Sequence, residues 1–542
     1  MTGMLLLATP LLPMAMAMAC VSATLRTRMM EWLVLAPLPG LAAALLAVGG
    51  PPLVLDADGA RFTLELSPPA AMLLGATALL WSLAGAYAAT YLRDDPAKGR
   101  FAVSWLLTLA GSLGVFLADD LATFYLAFAL VSLAAYGLVV QDGTKRAHRA
   151  GVIYLVLAVL GEICLLLAFA LLHAATSGDS LAIRDAVAAL PTAPARPWIV
   201  TLLILGFGLK AGLVPLHVWL PLAHPAAPMP ASAVLSGAIV KAGIIGLIRF
   251  LPFGENLPGW GEVLAAMGLF TAFYGVAIGI TQANPKTVLA YSSVSQMGVT
   301  VALLGLALAG GQVGWVRLAA FYAVHHVLAK GAMFLAVGVV AGCGGTRLRW
   351  VLLPVGLLVL AFGGLPLTGG GVAKLAVKDV FAGPWLGALS SLSAVGTTVL
   401  MVHFLLRLQL LGSGQPQERP APGLVWPFLT LAAAALLGPW ALYLGTGIGS
   451  LEKALGGAEL WAGVWPVLLG LVLALGLHRW GWRLPAVPEG DVLVLTRRAP
   501  ALLSACGDRL ERGEVVLRQW PVAASALLGL AVLLVLAMWQ AA

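Results

Sequence analysis

Apolar segments of about twenty residues, the length a helix needs to cross a bilayer, recur almost without pause from residue 3 to residue 540. Their centres fall at 3–20, 33–50, 71–91, 101–118, 121–140, 151–173, 198–217, 231–250, 263–282, 287–308, 317–341, 350–368, 385–411, 424–445, 461–478 and 521–540. The chain is 61% hydrophobic and only 10% charged, whereas soluble domains carry about 25% charge. The expectation is an all-α polytopic membrane protein of about 16 transmembrane helices, and the soluble fold classes are excluded.

The loop charges fix an orientation for that count. Arg26 and Arg28, then Arg93, Lys98 and Arg100, then Lys145, Arg146 and Arg149, Lys286, Arg347 and Arg349, and finally Arg479, Arg483, Arg497 and Arg498 follow odd-numbered spans. Asp56, Asp58 and Glu65, then Asp119 and Asp120, Asp179 and Asp185, and Glu452 and Glu459 follow even-numbered ones. Positive loops stay inside, so the N-terminus is expected outside, in the cell's inner (plasma) membrane. Residues 3–20 end on AMAMAC, which resembles a cleavage site, but no positive charge precedes the run; a retained first span is expected. The formal charge of +8 is then a topology signal, and no nucleic-acid motif accompanies it. Cys20, Cys164, Cys343 and Cys506 are isolated and no G-x-G-x-x-G opens a strand–helix unit, so no cofactor is expected.

Residues 51–70 alternate polar and apolar around Asp58-Gly59, as an outer β-hairpin would. Residues 486–520 mix Arg, Asp and Glu with Leu, Val and Trp and read as an amphipathic element on the inner surface. Four regions follow: 1–100 for the first three spans, 101–251 and 252–415 for two five-span halves, and 416–542 for the remainder.

Chemistry concentrates where charge enters the spans. Lys210, Lys241, Lys330, Lys374 and Lys378 fall within apolar segments, and Glu162 is the acid clearly in mid-span. A lysine at a helix centre costs about 2.5–3.5 kcal/mol on insertion scales, and such residues mark ion or proton paths. His326 and Lys330 are i,i+4, as are Lys374 and Lys378; Lys210 and His217 are i,i+7. His325, adjacent to His326, points elsewhere on its helix and reads as structural. His217 and His224 have no Cys or carboxylate near them in sequence, so no metal is expected. Pro215, in the seventh span, and Pro366 with Gly369-Gly370-Gly371, in the twelfth, break two helices in corresponding halves, the sequence sign of inverted repeats.

The stretches KAGLVPLHVWLP (210–221), SAVLSGAIVK (232–241), KTVLAYSSVSQMG (286–298), HVLAKGAMFLAVG (326–338) and PLTGGGVAK (366–374) resemble the antiporter-like subunits of respiratory complex I and of Mrp-type cation/proton antiporters. The resemblance covers most of residues 50–410. It implies two inverted five-helix repeats, broken helices 7 and 12, and a polar axis along the membrane. Lys210 matches the family's broken-helix lysine, Lys241 its relay lysine, His326 and Lys330 its His/Lys pair, and Lys374 its exit lysine. One departure stands out: the family's fifth-helix glutamate is Ala129 here. Glu162 is the expected replacement. The resemblance further implies a proton-translocating subunit, without its own redox centre and with other membrane subunits as partners; His217, i,i+7 from Lys210, is expected among the proton-transfer residues. Quinone-reducing complexes, membrane-bound hydrogenases, Mrp-type sodium/proton antiporters and two-component inorganic-carbon uptake systems all use such a subunit. The reading from a different class is a non-conducting scaffold.

Overall fold

Within a bilayer each backbone N–H and C=O has to find its partner inside the protein, which leaves helices as the building unit of a single open chain. The computed structural model describes residues 1–496 apart from 58–59, 177, 179, 345–346, 416–418, 481–484 and 486. The helices are α1 (Thr2–Ala19), α2 (Ala23–Trp32), α3 (Leu38–Leu46), α4 (Pro68–Tyr91), α5 (Lys98–Leu117), α6 (Leu121–Val139), α7 (Lys145–Ala175) and α8 (Ile183–Ala189). They continue as α9 (Arg196–Ala211), α10 (Trp219–Ala226), α11 (Met229–Val234), α12 (Lys241–Phe250), α13 (Pro258–Gly279), α14 (Pro285–Ala309), α15 (Val313–Ala341), α16 (Leu348–Gly363) and α17 (Gly369–Val377). The last are α18 (Pro384–Ser413), α19 (Pro422–Gly445), α20 (Leu451–Leu455) and α21 (Gly457–Arg479). All of these lie in one compact body, Met1–Glu489. In a second unit, Gly490–Ala542, the described structure includes α22 (Asp491–Thr496).

Among the described residues, thirteen helices are long and apolar enough to cross a membrane, with Arg196–Ala226 and Met229–Phe250 each counted as one. The protein is an integral, multi-pass membrane protein. Thirteen of the expected segments correspond to these helices. The segment expected at 33–50 is instead the nine-residue α3. The twelfth is divided into α16 and α17. The segment at 521–540 and most of 486–520 lie outside the described residues. The hairpin at 51–70 is present as β1 (Leu53–Ala57) antiparallel to β2 (Ala60–Leu64), in register from Leu53↔Leu64 to Ala57↔Ala60.

α15 sits at the centre, buried from Ala319 to Val340 and packed against α4, α14, α17 and α19. α7 shows the opposite character. Val152, Val156, Leu160, Ile163 and Leu167 form an exposed apolar face, while Tyr154, Ala158, Glu162 and Leu165 turn inward. Polar side chains seat the helix ends. Asp120 accepts from Thr123 N at 2.7 Å to start α6, and Thr144 and Asn284 start α7 and α14.

The two expected breaks share one construction. α9 ends on Gly212 at φ +83°, with Leu213 N bonded to Gly208 O at 2.9 Å. α16 ends on Gly364 at φ +106°, with Leu365 N bonded to Leu360 O at 3.0 Å. Both are glycine-terminated Schellman ends, which glycine allows because it has no Cβ to clash at positive φ. A proline follows each, Pro215 and Pro366, and blocks any direct continuation. The first break differs from expectation in extent: the chain resumes as a 3-10 turn, Leu216–Val218, and runs on through α10.

Candidate ion-translocation site

The site begins with what each broken end leaves unsatisfied. Between α10 and α11 the prolines free two carbonyls. Ser232 Oγ donates to His224 O at 2.9 Å, and the Lys286 ammonium donates to Ala227 O. Lys286, placed on sequence with the lysines in loops or at span ends, lies at the start of α14 and is buried and bonded there. After Gly364, Thr368 closes the next end: its hydroxyl donates to Leu365 O at 2.6 Å and accepts from Gly371 N at 3.2 Å.

Three of the expected residues meet. A π-helical turn, Leu235–Ile239, precedes Lys241 at the start of α12; such turns gather at functional positions because they reset side-chain register. The Lys241 amine bonds His326 Nδ1 on α15. One turn further along α15, Lys330 donates to Leu289 O at 2.8 Å and to Ser292 Oγ, both on α14. Phe362 closes the cluster, its ring centroid 5.0 Å from Lys330 Nζ and 5.9 Å from the His326 ring. Lys241, His326 and Lys330 are all fully or nearly fully buried, and among the described residues the groups bonded to them include no carboxylate.

Lys210 stands apart from this cluster. Close approach of α7 and α9 at Gly161 and Gly206, where a Cβ on Gly206 would lie 3.0 Å from Gly161 O, brings Glu162 towards it. Lys210 donates to Ser132 Oγ at 2.7 Å, over the rings of Phe128 (5.3 Å) and Tyr154 (5.7 Å). Glu162 is buried, faces Ser132, and is the carboxylate whose charge acts on Lys210. Among the described residues neither of its oxygens holds a hydrogen bond. His217 is buried with its ring 5.2 Å from Tyr274 and 6.1 Å from Tyr291.

Lys374 occupies the second break. It donates to Gly363 O at 2.7 Å, at the C-terminal, negative end of α16. It lines a cavity of about 140 Å³ with Gly364, Pro366, Trp440 and Trp465. Lys378, grouped with the intramembrane lysines on sequence, is exposed at the rim of that cavity and paired with Glu459 at 2.6 Å. The helix ends at Val377, so the i,i+4 spacing with Lys374 does not hold them on one face in the same environment.

Several polar groups were not singled out on sequence. Ser132 and Ser292 receive two of the lysines. Ser236 and Ser293 bond each other at 2.6 Å, and Tyr322 donates to Gln296 Oε1 at 2.6 Å while Gln296 donates to Thr397 at 3.1 Å. For three of them, Ser292, Ser293 and Gln296, the signal was the hydroxyl and amide run Ser292, Ser293, Ser295 and Gln296 within apolar α14.

A multi-pass bundle with two alike helix breaks and amines buried between them has the antiporter-like membrane fold. The chain belongs to the family described as NADH:quinone oxidoreductase/Mrp antiporter, TM, whose profile matches residues 118–399, just over half of its length. It is 30% identical to hydrogenase-4 component B of Escherichia coli over 298 residues, 52% of this chain and 44% of that protein. It is 32% identical to NADH-quinone oxidoreductase subunit N of Desulforudis audaxviator over 411 residues, 71% of this chain and 80% of that one. The chain spans about half the length, or less, of several of the curated relatives it matches. Among solved structures it is similar to a chain of the Mrp complex from Dietzia sp. DQ12-45-1b, with TM-score 0.73 and 25% identity over 98% of this chain and 62% of that one. The fold also matches a chain of the archaeal membrane-bound sulfane sulfur reductase, with TM-score 0.71 and 21% identity over 98% of this chain and 100% of that one.

Proposed function

We propose that the chain is the proton-translocating, antiporter-like subunit of a multisubunit membrane complex. One observation carries the reading: the bonded Lys241–His326 pair with Lys330 beside it, buried and, among the described residues, with no counter-charge bonded to it. A buried ammonium without a paired anion is expensive, and a chain that retains several of them gains something other than stability. Proton transfer uses such groups, since lysine and histidine both exchange protons when the charge around them changes. The path runs from Lys210 with Glu162 in the first half, past His217, through Lys241, His326 and Lys330, to Lys374 at its cavity.

Glu162 takes the place of the carboxylate missing at Ala129; its inward face on α7 and its charge on Lys210 support this. The halves 101–251 and 252–415 are inverted repeats, which the matching Gly212 and Gly364 ends support. The membrane is the cell's inner membrane with the N-terminus outside, in keeping with the alternating loop charges. Energy comes from partner subunits or an ion gradient, as the named complexes of its relatives suggest. Exchange of sodium for protons is the second reading, favoured by the likeness to the Mrp complex and to a Na(+)/H(+) antiporter component of Bacillus subtilis.

Replacing Glu162 with Gln in the assembled complex and recording proton flux tests the first half. Loss of flux with assembly intact supports the assignment; wild-type flux removes Glu162 from the path. A scaffold that conducts nothing predicts unchanged physiology after Lys210, Lys241, Lys330 and Lys374 are all replaced with Met.

A further inference from the structure

Consecutive residues on an α-helix point about 100° apart, so His325 and His326 cannot serve one face of α15. Yet both rings meet Phe362, at 5.6 Å for His325 and 5.9 Å for His326. Phe362 thus touches both imidazoles. His326 belongs with Lys241 and Lys330, whereas His325 reaches the break between α16 and α17. Its Cε1 lies where a Cβ on Gly370 would come within 2.9 Å, one helical turn ahead of Lys374. The residue after Phe362, Gly363, supplies the carbonyl that holds Lys374. Lys374 is the cation whose charge acts on His325, whereas Lys241, Lys330 and the neighbouring His325 act on His326. His325 Nε2 is buried and has no hydrogen-bond partner among the described residues. Leaving a buried ring nitrogen unpaired costs about 1–3 kcal/mol, and a purely packing role would be filled at less cost by Phe or Leu.

We propose that His325 carries the proton from the central cluster to Lys374, so that α15 offers one imidazole to the cluster and one to the second break. This rests on the translocation reading above and adds to it a residue that the sequence marked as structural. The transfer balances without a co-reactant. An N–H bond of the protonated His326 ring, whose Nε2 is buried without a partner among the described residues, breaks as one forms on a ring nitrogen of His325. That N–H then breaks as one forms on the neutral amine of Lys374, each electron pair staying on the nitrogen that gives the proton up. Lys374 releases the proton into the adjoining cavity and the ring returns to its neutral form.

The test uses the whole complex in proteoliposomes, with His325→Gln, His325→Phe and Lys330→Met compared for co-purification of partners, proton flux and solvent deuterium isotope effect. The expected result is full assembly of His325→Gln, a fall in flux of about 100-fold, the size of a lost acid–base group, and a larger isotope effect. A packing role would leave the isotope effect unmoved. Wild-type flux in His325→Gln, whatever His325→Phe does, overturns the proposal. If Lys330→Met is inactive in that same experiment, only the role of His325 falls; if Lys330→Met also conducts normally, the translocation reading falls with it.

Discussion

Gly364→Ala separates the two helix breaks by their consequences. Gly364 sits at φ +106°, where an L-residue pays about 1–2 kcal/mol. Its new Cβ would also lie 2.6 Å from Lys374 Cδ, 3.4 Å from Cε and 3.5 Å from Nζ. The lysine side chain has to swing aside and release Gly363 O, a charge-assisted bond of about 1.5–3 kcal/mol. Together these give a destabilisation of about 3–5 kcal/mol. The share that displaces Lys374 corresponds to a loss of flux of about ten- to a hundredfold. Gly212→Ala is the control. It has φ +83° and its Cβ meets Leu220 Cδ1 at 2.4 Å, the far end of a flexible side chain and no ionisable group. It should cost about 1–2 kcal/mol of backbone strain and leave transport nearly unchanged. Thermal unfolding of the purified complex reads the first quantity and proton flux in proteoliposomes the second. Equal flux in the two variants, or wild-type flux in Gly364→Ala, would refute the reasoning that the second break exists to position Lys374.

Ser132→Ala removes the direct acceptor of Lys210 and should cost about 1.5–3 kcal/mol of stability, measured as a lower unfolding temperature; Glu162→Gln combined with it should add less than the sum of the two singles, because both act on one ammonium. Asp119 lies in the loop between α5 and α6, where burial pushes its carboxyl up to about 6 although Arg249, 3.2 Å away, pulls it down. A carboxyl raised in the folded state binds its proton there more tightly than in the unfolded chain. It therefore lowers stability as pH rises from about 4 to about 6, and Asp119→Asn should flatten that part of an unfolding-against-pH curve. Arg249→Met should be strongly destabilising, by about 3–5 kcal/mol, since it abandons Phe116 O, Ala118 O and Asp119 together; an unfolding temperature equal to wild type would contradict this.

Spans and breaks were legible because the bilayer allows few alternatives: twenty apolar residues make a helix, and Pro215, or Pro366 with Gly369-Gly370-Gly371, interrupts one. Lys241, His326 and Lys330 were legible for the same reason, as polar exceptions in apolar runs. What escaped was whatever depends on where a helix stops. Lys378 reads as intramembrane until α17 is seen to end at Val377, which leaves it exposed and paired with Glu459. Lys286 reads as a loop residue until the carbonyl of Ala227, freed by prolines 59 positions earlier, is found in its reach. The segment at 33–50 is hydrophobic enough for a span, but Pro37 and Pro39 confine its helix to Leu38–Leu46. Ser132 carries no signal of its own, since a serine in an apolar helix most often bonds its own backbone.

The central claim is that the bonded Lys241–His326 pair is a conductor and not a brace. Proton flux into proteoliposomes, followed with an enclosed pH-sensitive dye, answers this for Lys241→Met in the complete complex. The account predicts that the variant co-purifies with its partners and that flux falls to the background of empty vesicles. Full assembly with wild-type flux would contradict it.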